Sequence, residues 1–408
     1  MAEERPSSEE KRVWPGRLLH RPSDCDTNSE VSGYERWKDP SEAEAEQTLA
    51  ARPTKEEIPA ALEQAPSPSS SSSQAERIFS GHRRGVNMAA FTPDARHVLT
   101  ASFDRSARLF DVETGVCKQV FSGHHGAVLS ASTSPDLSQV VTCSADRTAK
   151  VFHAESGSCI CTLEGHSAHI LTATFAPRGD KVLTASSDKT ARLYDAASGN
   201  CLSVYRGHRA PLYMANFSPD GQQVLTASHD WTAGLFDTQT GQCKQTFGGH
   251  KAHVYSAVFS PDGSQVLTAS ADGTSKLFTV GIDDPKLTFG KHTDRVYMAI
   301  FAPQADKVLT ASGDGLARLF DAVTGACLSV LEGHGMAVHS AAFSPDGKTI
   351  VTAGDDRSAR LFDARTGLCK KTLEGHGEHL YMAAFSPDSS FVLTASEDNS
   401  AKLFRAAA

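Results

Sequence analysis

No window of the 408-residue sequence approaches the roughly 18 consecutive apolar residues of a membrane-spanning helix. The opening residues, MAEERPSSEE, are acidic where a secretory or transit leader is basic and then apolar. The expectation is a cytoplasmic protein with no membrane partner, with nucleus and cilium as alternatives. Positive charge is also in short supply: 40 Lys and Arg face 48 Asp and Glu, a net charge of −8. That balance counts against a general nucleic-acid binder, which needs a basic excess to neutralise phosphates. Aromatic residues make up only 7% of the chain, and no glycine-rich phosphate loop stands between a strand and a helix. The nine cysteines include one C-x-C pair, Cys159 and Cys161, with no second ligand pair to complete a metal site. No cofactor and no bound metal are expected.

What is present divides the chain in two. Residues 1–75 hold 9 basic and 15 acidic residues and the run SPSSSSSQ at 67–74. Too few aliphatic residues remain to offset the entropy of ordering, so a mostly disordered acidic tail is expected. Ser41 with Glu44 and Thr54 with Glu57 have capping-box spacing, which allows two short helices. Trp14, Tyr34 and Trp37 read either as scattered surface aromatics or as a docking motif.

From residue 76 to residue 408 the chain repeats. His82, His124, His166, His208, His250, His292, His334 and His376 stand 42 residues apart, and all but His292 follow Gly. A turn Asp keeps the same period, from Asp104 to Asp398, always 22 residues after the His. Each unit reads as four short strands: an aliphatic run, a turn such as SPDG, the segment VLTAS in six of eight units, a tight turn at the Asp, ARLFD or a relative of it, and a last strand leading to the next His. A meander of this size cannot bury both faces alone, whereas eight stacked radially bury all but the outermost edges.

This phrasing, GH, then Asp, then an aromatic followed in five units by Asp, resembles the WD-repeat β-propeller family, although no unit carries Trp-Asp and the aromatic is Phe or Tyr194. The resemblance implies an all-β propeller that serves as a protein-interaction scaffold or adaptor. It also implies a buried hydrogen-bond set in each blade joining the His, the Asp, a strand hydroxyl and the Trp. The matching residues here are His82, Asp104 and Thr100 in the first unit and His208, Asp230 and Thr226 in the fourth. Phe has no indole N–H, so the set should shorten to three members. Phrases such as CLSVLEGH are similar to those of eight-bladed factors that assist ciliary dynein assembly. A ciliary transport adaptor is therefore one alternative; a ubiquitin-ligase substrate receptor and an RNA-associated propeller are others.

Segments preceding a GH step number eight, beginning at 76–79, and so do the three-strand segments that follow one, the last ending at Phe404. Pairing residues 76–80 with the strand near 400–404 would close an eight-bladed ring and remove two exposed edges. The assembly expected is a monomeric disc working within a larger complex.

A His, an Asp and a Thr brought together have the composition of a nucleophilic triad. The set recurs once per unit, however, while an active site needs a single copy, so no enzyme is expected. Cys117, Cys159, Cys201, Cys243, Cys327 and Cys369 follow the same period. Equivalent positions in sheets packed about 10 Å apart exceed the roughly 7 Å Cα limit of a disulfide, and a small buried residue is the expectation.

Eight copies provide eight trials of every position. Seven residues beyond each His the residue is always Ala, from Ala89 to Ala383, whereas five beyond it the series is Asn87, Leu129, Leu171, Tyr213, Tyr255, Tyr297, His339 and Tyr381. In a meander the GH loop and the Asp turn share one end of the blade, so residues flanking them should line one face. Tyr213, Tyr255, Tyr297, Tyr381, His339, Trp231, His229, Arg295, His253 and His379 gather there as the expected site for one or more protein or peptide partners. The alternative is that these rings pack locally around the channel.

Overall fold

The structure is a computed structural model describing residues 74–406. The expected tail, with Trp14, Tyr34, Trp37 and both capping-box pairs, falls on residues outside the described ones. Among the described residues there are 32 strands and no helix. The strands form eight four-stranded antiparallel sheets whose neighbours pack in sequence order, an eight-bladed propeller.

Blade 1 follows β1 (Arg77–Phe79) and consists of β2 (Val86–Phe91), β3 (His97–Ser102), β4 (Ala107–Asp111) and β5 (Cys117–Phe121). Position in the sheet determines the pattern of each strand. β3 lies between two strands and two neighbouring blades, and five of its six residues are buried; such a strand reads as a continuous run rather than an alternation. β5 is the outer edge and alternates, with Lys118 and Val120 exposed and Phe121 buried. The Asp of the SPDG turn is held by its neighbours: the Ser260 hydroxyl donates to Asp262 at 2.6 Å. Hydrogen bonds from Ser260 and Ser264 hold that carboxyl down to about 2.

The core consists of eight clusters, one between each pair of blades. Leu99, Ala101, Leu109 and Phe121 of blade 1 meet Val128, Ala131, Val140 and Phe152 of blade 2. The aromatic at the family's Trp position works here. Phe152 packs on Phe121 with ring centroids 5.4 Å apart, and Phe278 and Phe320 repeat this on Phe247 and Phe289 at 5.0 and 5.2 Å. Such pairs contribute about 0.5–1.5 kcal/mol beyond area burial.

The six periodic cysteines open the outer strands but do not form the small buried position expected. Cys159, Cys201 and Cys243 are exposed, and Cys117, Cys327 and Cys369 are partly so. The first residue of an edge strand projects at the rim, where the ladder slips between Leu109 and Phe110 opposite Cys117. All eight described cysteines are free thiols.

Blade 8 is composite. β1 pairs antiparallel with the last strand, Ala401–Arg405, in the register Arg77 to Leu403 and Phe79 to Ala401. Phe79 is fully buried against Leu393, Ala395 and Leu403 of blade 8 and Val86 and Phe110 of blade 1. A chain starting at Gly81 should therefore melt at a lower temperature and aggregate more readily than one starting at Gln74, as scanning calorimetry and light scattering would show. Equal melting temperatures would mean that β1 does not contribute to closure.

Candidate functional site

Two ends of each blade are chemically different. Val112 N–H donates to Arg96 carbonyl at 2.9 Å, joining the β2–β3 and β4–β5 turns at one end. At the other end the GH loop and the β3–β4 turn are joined through side chains. His82 Nδ1 lies 2.8 Å from Asp104 Oδ2, and Nε2 lies 2.8 Å from Thr100 Oγ1. In blade 4 His208 makes the same contacts with Asp230 at 2.8 Å and Thr226 at 2.7 Å. A carboxylate only accepts, so Nδ1 carries the proton of this contact, while Nε2 meets the Thr hydroxyl, which also lies 3.3 Å from a carbonyl of the next strand.

All eight blades hold this set, and it is larger than the three members expected. The hydroxyl two residues beyond the Asp also donates to the carboxylate, as Ser106 does to Asp104 and Thr232 to Asp230, both at 2.6 Å. In blade 6 Leu316 stands there, and Arg318 supplies the missing donor to Asp314 at 2.9 Å. The Ser that closes β3 accepts from the Asp104 N–H at 3.1 Å and donates to the Gly85 carbonyl at 3.0 Å. Both hydroxyls recur in seven of eight units; that repetition was the available signal.

Burial alone would raise the turn carboxyls. Hydrogen bonds from His, hydroxyl or Arg, and backbone N–H outweigh it and hold all eight well below the usual carboxylate range. Burial lowers the His376 imidazole, with Asp398 partly opposing.

The position five residues beyond each His lies on the inner strand. Across blades 4 to 7 its rings form an arc: Tyr213 to Tyr255 at 5.0 Å, Tyr255 to Tyr297 at 5.8 Å, and Tyr297 to His339 at 4.9 Å. Tyr381 meets Phe103 of blade 1 edge-on at 6.2 Å. His229 is buried, 4.1 Å from the Tyr213 ring and stacked on His253 at 4.2 Å. Arg295 is partly buried beside Asp294.

Two of the expected site histidines also join blades, which sequence reasoning missed. His253 Nδ1 donates to the His229 carbonyl at 2.7 Å, and His379 Nδ1 donates to the Asp355 carbonyl at 2.6 Å. His339 Nε2 is 2.8 Å from Asp355 Oδ1, so a polar cluster that is not repeated joins the repeated ones.

Trp231, half exposed, follows the turn Asp of blade 4 at φ +74°. The same position is left-handed in every blade, and only blades 5 and 6 place Gly there, Gly273 and Gly315. A non-Gly residue in that region costs about 1–2 kcal/mol.

His208→Ala and Asp230→Ala should each destabilise the protein by about 1–3 kcal/mol, and the pair by less than the sum, since each single change strands a buried partner. Strict additivity in urea unfolding would show that the two side chains do not act together. The pH dependence has a definite sign. A carboxyl lowered on folding adds stability that is complete above its unfolded value and lost as pH falls towards its folded one. A lowered His likewise loses its share as pH falls below its unfolded value. Melting temperature should therefore slip slightly below about pH 6.5 and fall steeply below about pH 4.

Compared with known proteins, the chain matches the family described as WD domain, G-beta repeat, at residues 73–111, 115–153, 157–195, 199–237, 241–279, 325–363 and 367–405. The unit between 279 and 325 goes unmatched; it carries Lys291 before its His and Pro285 in place of Cys, yet still forms four strands and the His292–Asp314 contact. Among solved structures, the computationally designed Ika8 protein is similar, with TM-score 0.73 and 23% identity over 82% of this chain and all of that one. That likeness concerns the fold alone. The repeat matches span more than half of the sequence, and with the eight blades they place this chain in the WD-repeat β-propeller family.

Proposed function

We propose that the protein is a non-enzymatic cytoplasmic interaction platform, an adaptor that holds protein or peptide partners on the face formed by GH loops and Asp turns. Propellers of this family generally serve as protein-interaction scaffolds. The observation that carries the reading is the arc of Tyr213, Tyr255, Tyr297 and His339 beside the exposed Trp231. Where the blades need a residue they repeat it, as the Ala three residues after the start of each inner strand shows. The arc position varies from copy to copy, and its aromatics are the types that dominate binding hot spots. Trp231 stands where the backbone favours Gly, which argues that something other than folding retains it. The His–Asp–hydroxyl set serves every blade and needs no catalytic explanation. A ubiquitin-ligase substrate receptor and a ciliary transport adaptor are particular cases of this role, and the identity of the partner would decide between them.

Tyr255→Ala and Trp231→Gly test the reading. Each should weaken capture of bound partners roughly thirtyfold, the loss of about 2 kcal/mol expected of a hot spot. Trp231→Gly should leave the melting temperature unchanged or higher. Tyr255→Ala loses ring contacts with Tyr213 and Tyr297, about 1–3 kcal/mol of stability, so capture is compared at equal folded fraction. Partners retained at that fraction would defeat the proposal.

A further inference from the structure

We propose that the part of this face over blades 1 to 4 takes an acidic protein segment, an extended carboxylate-rich stretch with an apolar residue set against Trp231. The inference rests on the platform reading and names the chemistry of its partner. It starts from the residue after each turn Asp: Arg105, Arg147, Lys189, Trp231, Gly273, Gly315, Arg357 and Asn399. Every one has positive φ. Arg105 N–H donates to the Ser102 carbonyl at 3.3 Å, and Gly273 and Gly315 make the same bond at the same length. The turn therefore forms with glycine, and the long cations of blades 1 to 3 strain it without supporting it.

These cations have company and lack counter-ions. Arg83, Arg84 and Arg209 follow the His in the GH loops of blades 1 and 4, and with Arg105, Arg147 and Lys189 all six are exposed. Among the described residues none of the six takes part in an ion pair. At the opposite end of the blades the lysines are compensated: Lys118 pairs with Asp111, Lys244 with Asp237 and Lys370 with Asp363. Over blades 6 to 8 the balance is reversed: Asp294, Glu332, Glu374, Glu378 and Glu397 are exposed and outnumber the exposed cations Lys291 and Arg357, whereas over blades 1 to 4 the exposed Glu164 stands among six cations, and Lys251 extends them into blade 5. The basic arc thus gives way to an acidic sector, with a half-exposed indole at blade 4.

A bounded arc selects among anions. A long nucleic acid gains from an uninterrupted basic track, and the acids of blades 6 to 8 would repel its continuation. A short acidic segment meets cations from several successive blades, which confers specificity and a fast on-rate, and it can supply the apolar side chain that Trp231 would cover.

The test uses the full chain and a short fluorescent peptide alternating Glu and Leu, its Gln counterpart, and a single-stranded oligouridine RNA. The variant combines Arg105→Gly, Arg147→Gly and Lys189→Gly, the residue that blades 5 and 6 already use, so its melting temperature should not fall. The acidic peptide should bind at least about tenfold more tightly than the Gln peptide and weaken with added salt, and the triple variant should lose about that factor. Charge reversal at Arg83 and Arg209 should weaken binding similarly. Equal binding of the two peptides, an unchanged affinity in the triple variant, or tighter binding of the RNA would each overturn the inference. Should the triple variant keep protein partners that Tyr255→Ala loses, the platform reading stands and the acidic segment falls. If Tyr255→Ala keeps its partners while peptide binding still needs the three cations, the aromatic site falls instead.

Discussion

An ionised carboxylate buried between two loops is costly unless its oxygens are fully engaged, and every blade of this propeller is organised around meeting that requirement. The turn Asp draws an imidazole from one loop, a hydroxyl from its own turn and a backbone N–H, and the imidazole reaches on to a Thr in the blade's most buried strand. The GH loop and the Asp turn are thus held to one another and to the sheet. The surface above them inherits that rigidity. Side chains that vary from blade to blade, such as Trp231 and Arg105, are displayed from fixed positions, which would lower the entropy lost on binding the partner proposed above.

Blade-to-blade contacts rest on different physics. Eight apolar clusters join the sheets, and Phe–Phe pairs occupy the place where the family's Trp stands. Losing the indole shifts that position from hydrogen bonding towards packing, and the turn hydroxyls keep the carboxylates satisfied. Tyr194 is the intermediate case: buried like the Phe residues, with its OH donating to the Glu164 carbonyl at 3.0 Å.

The fold was legible because one period of 42 residues carries strand, turn and capping signals in register, so each weak local signal is read eight times. The same repetition made His208, Asp230 and Thr226 recognisable as a set. It did not reveal burial: the periodic cysteines look like core letters, yet an edge strand's first residue has no neighbour outside it. Nor did it distinguish polar residues that face solvent from polar residues that face a carboxylate, so Ser106 and Thr232 stood outside the expected three-member set. Features shared by few blades were hardest to read. The contact of His253 with the preceding blade recurs at the equivalent His379 of blade 8, and only coordinates place an imidazole against a carbonyl 24 residues back in the chain.

The composite eighth blade ties folding to the order of synthesis. β1 precedes every other strand of the ring, and its partner, Ala401–Arg405, comes last; Glu76 and Arg405, which meet across this seam, are 329 residues apart in the chain. Closing so long a loop costs about 2 kcal/mol more entropy than joining neighbouring units. Until translation reaches the final strand, the nascent chain is an open stack of sheets with two unpaired edges, however well each blade has formed. Synthesis of Ala401–Arg405 therefore permits ring closure, and a ribosome that stops before it releases a product whose exposed strands chaperones and proteases can recognise.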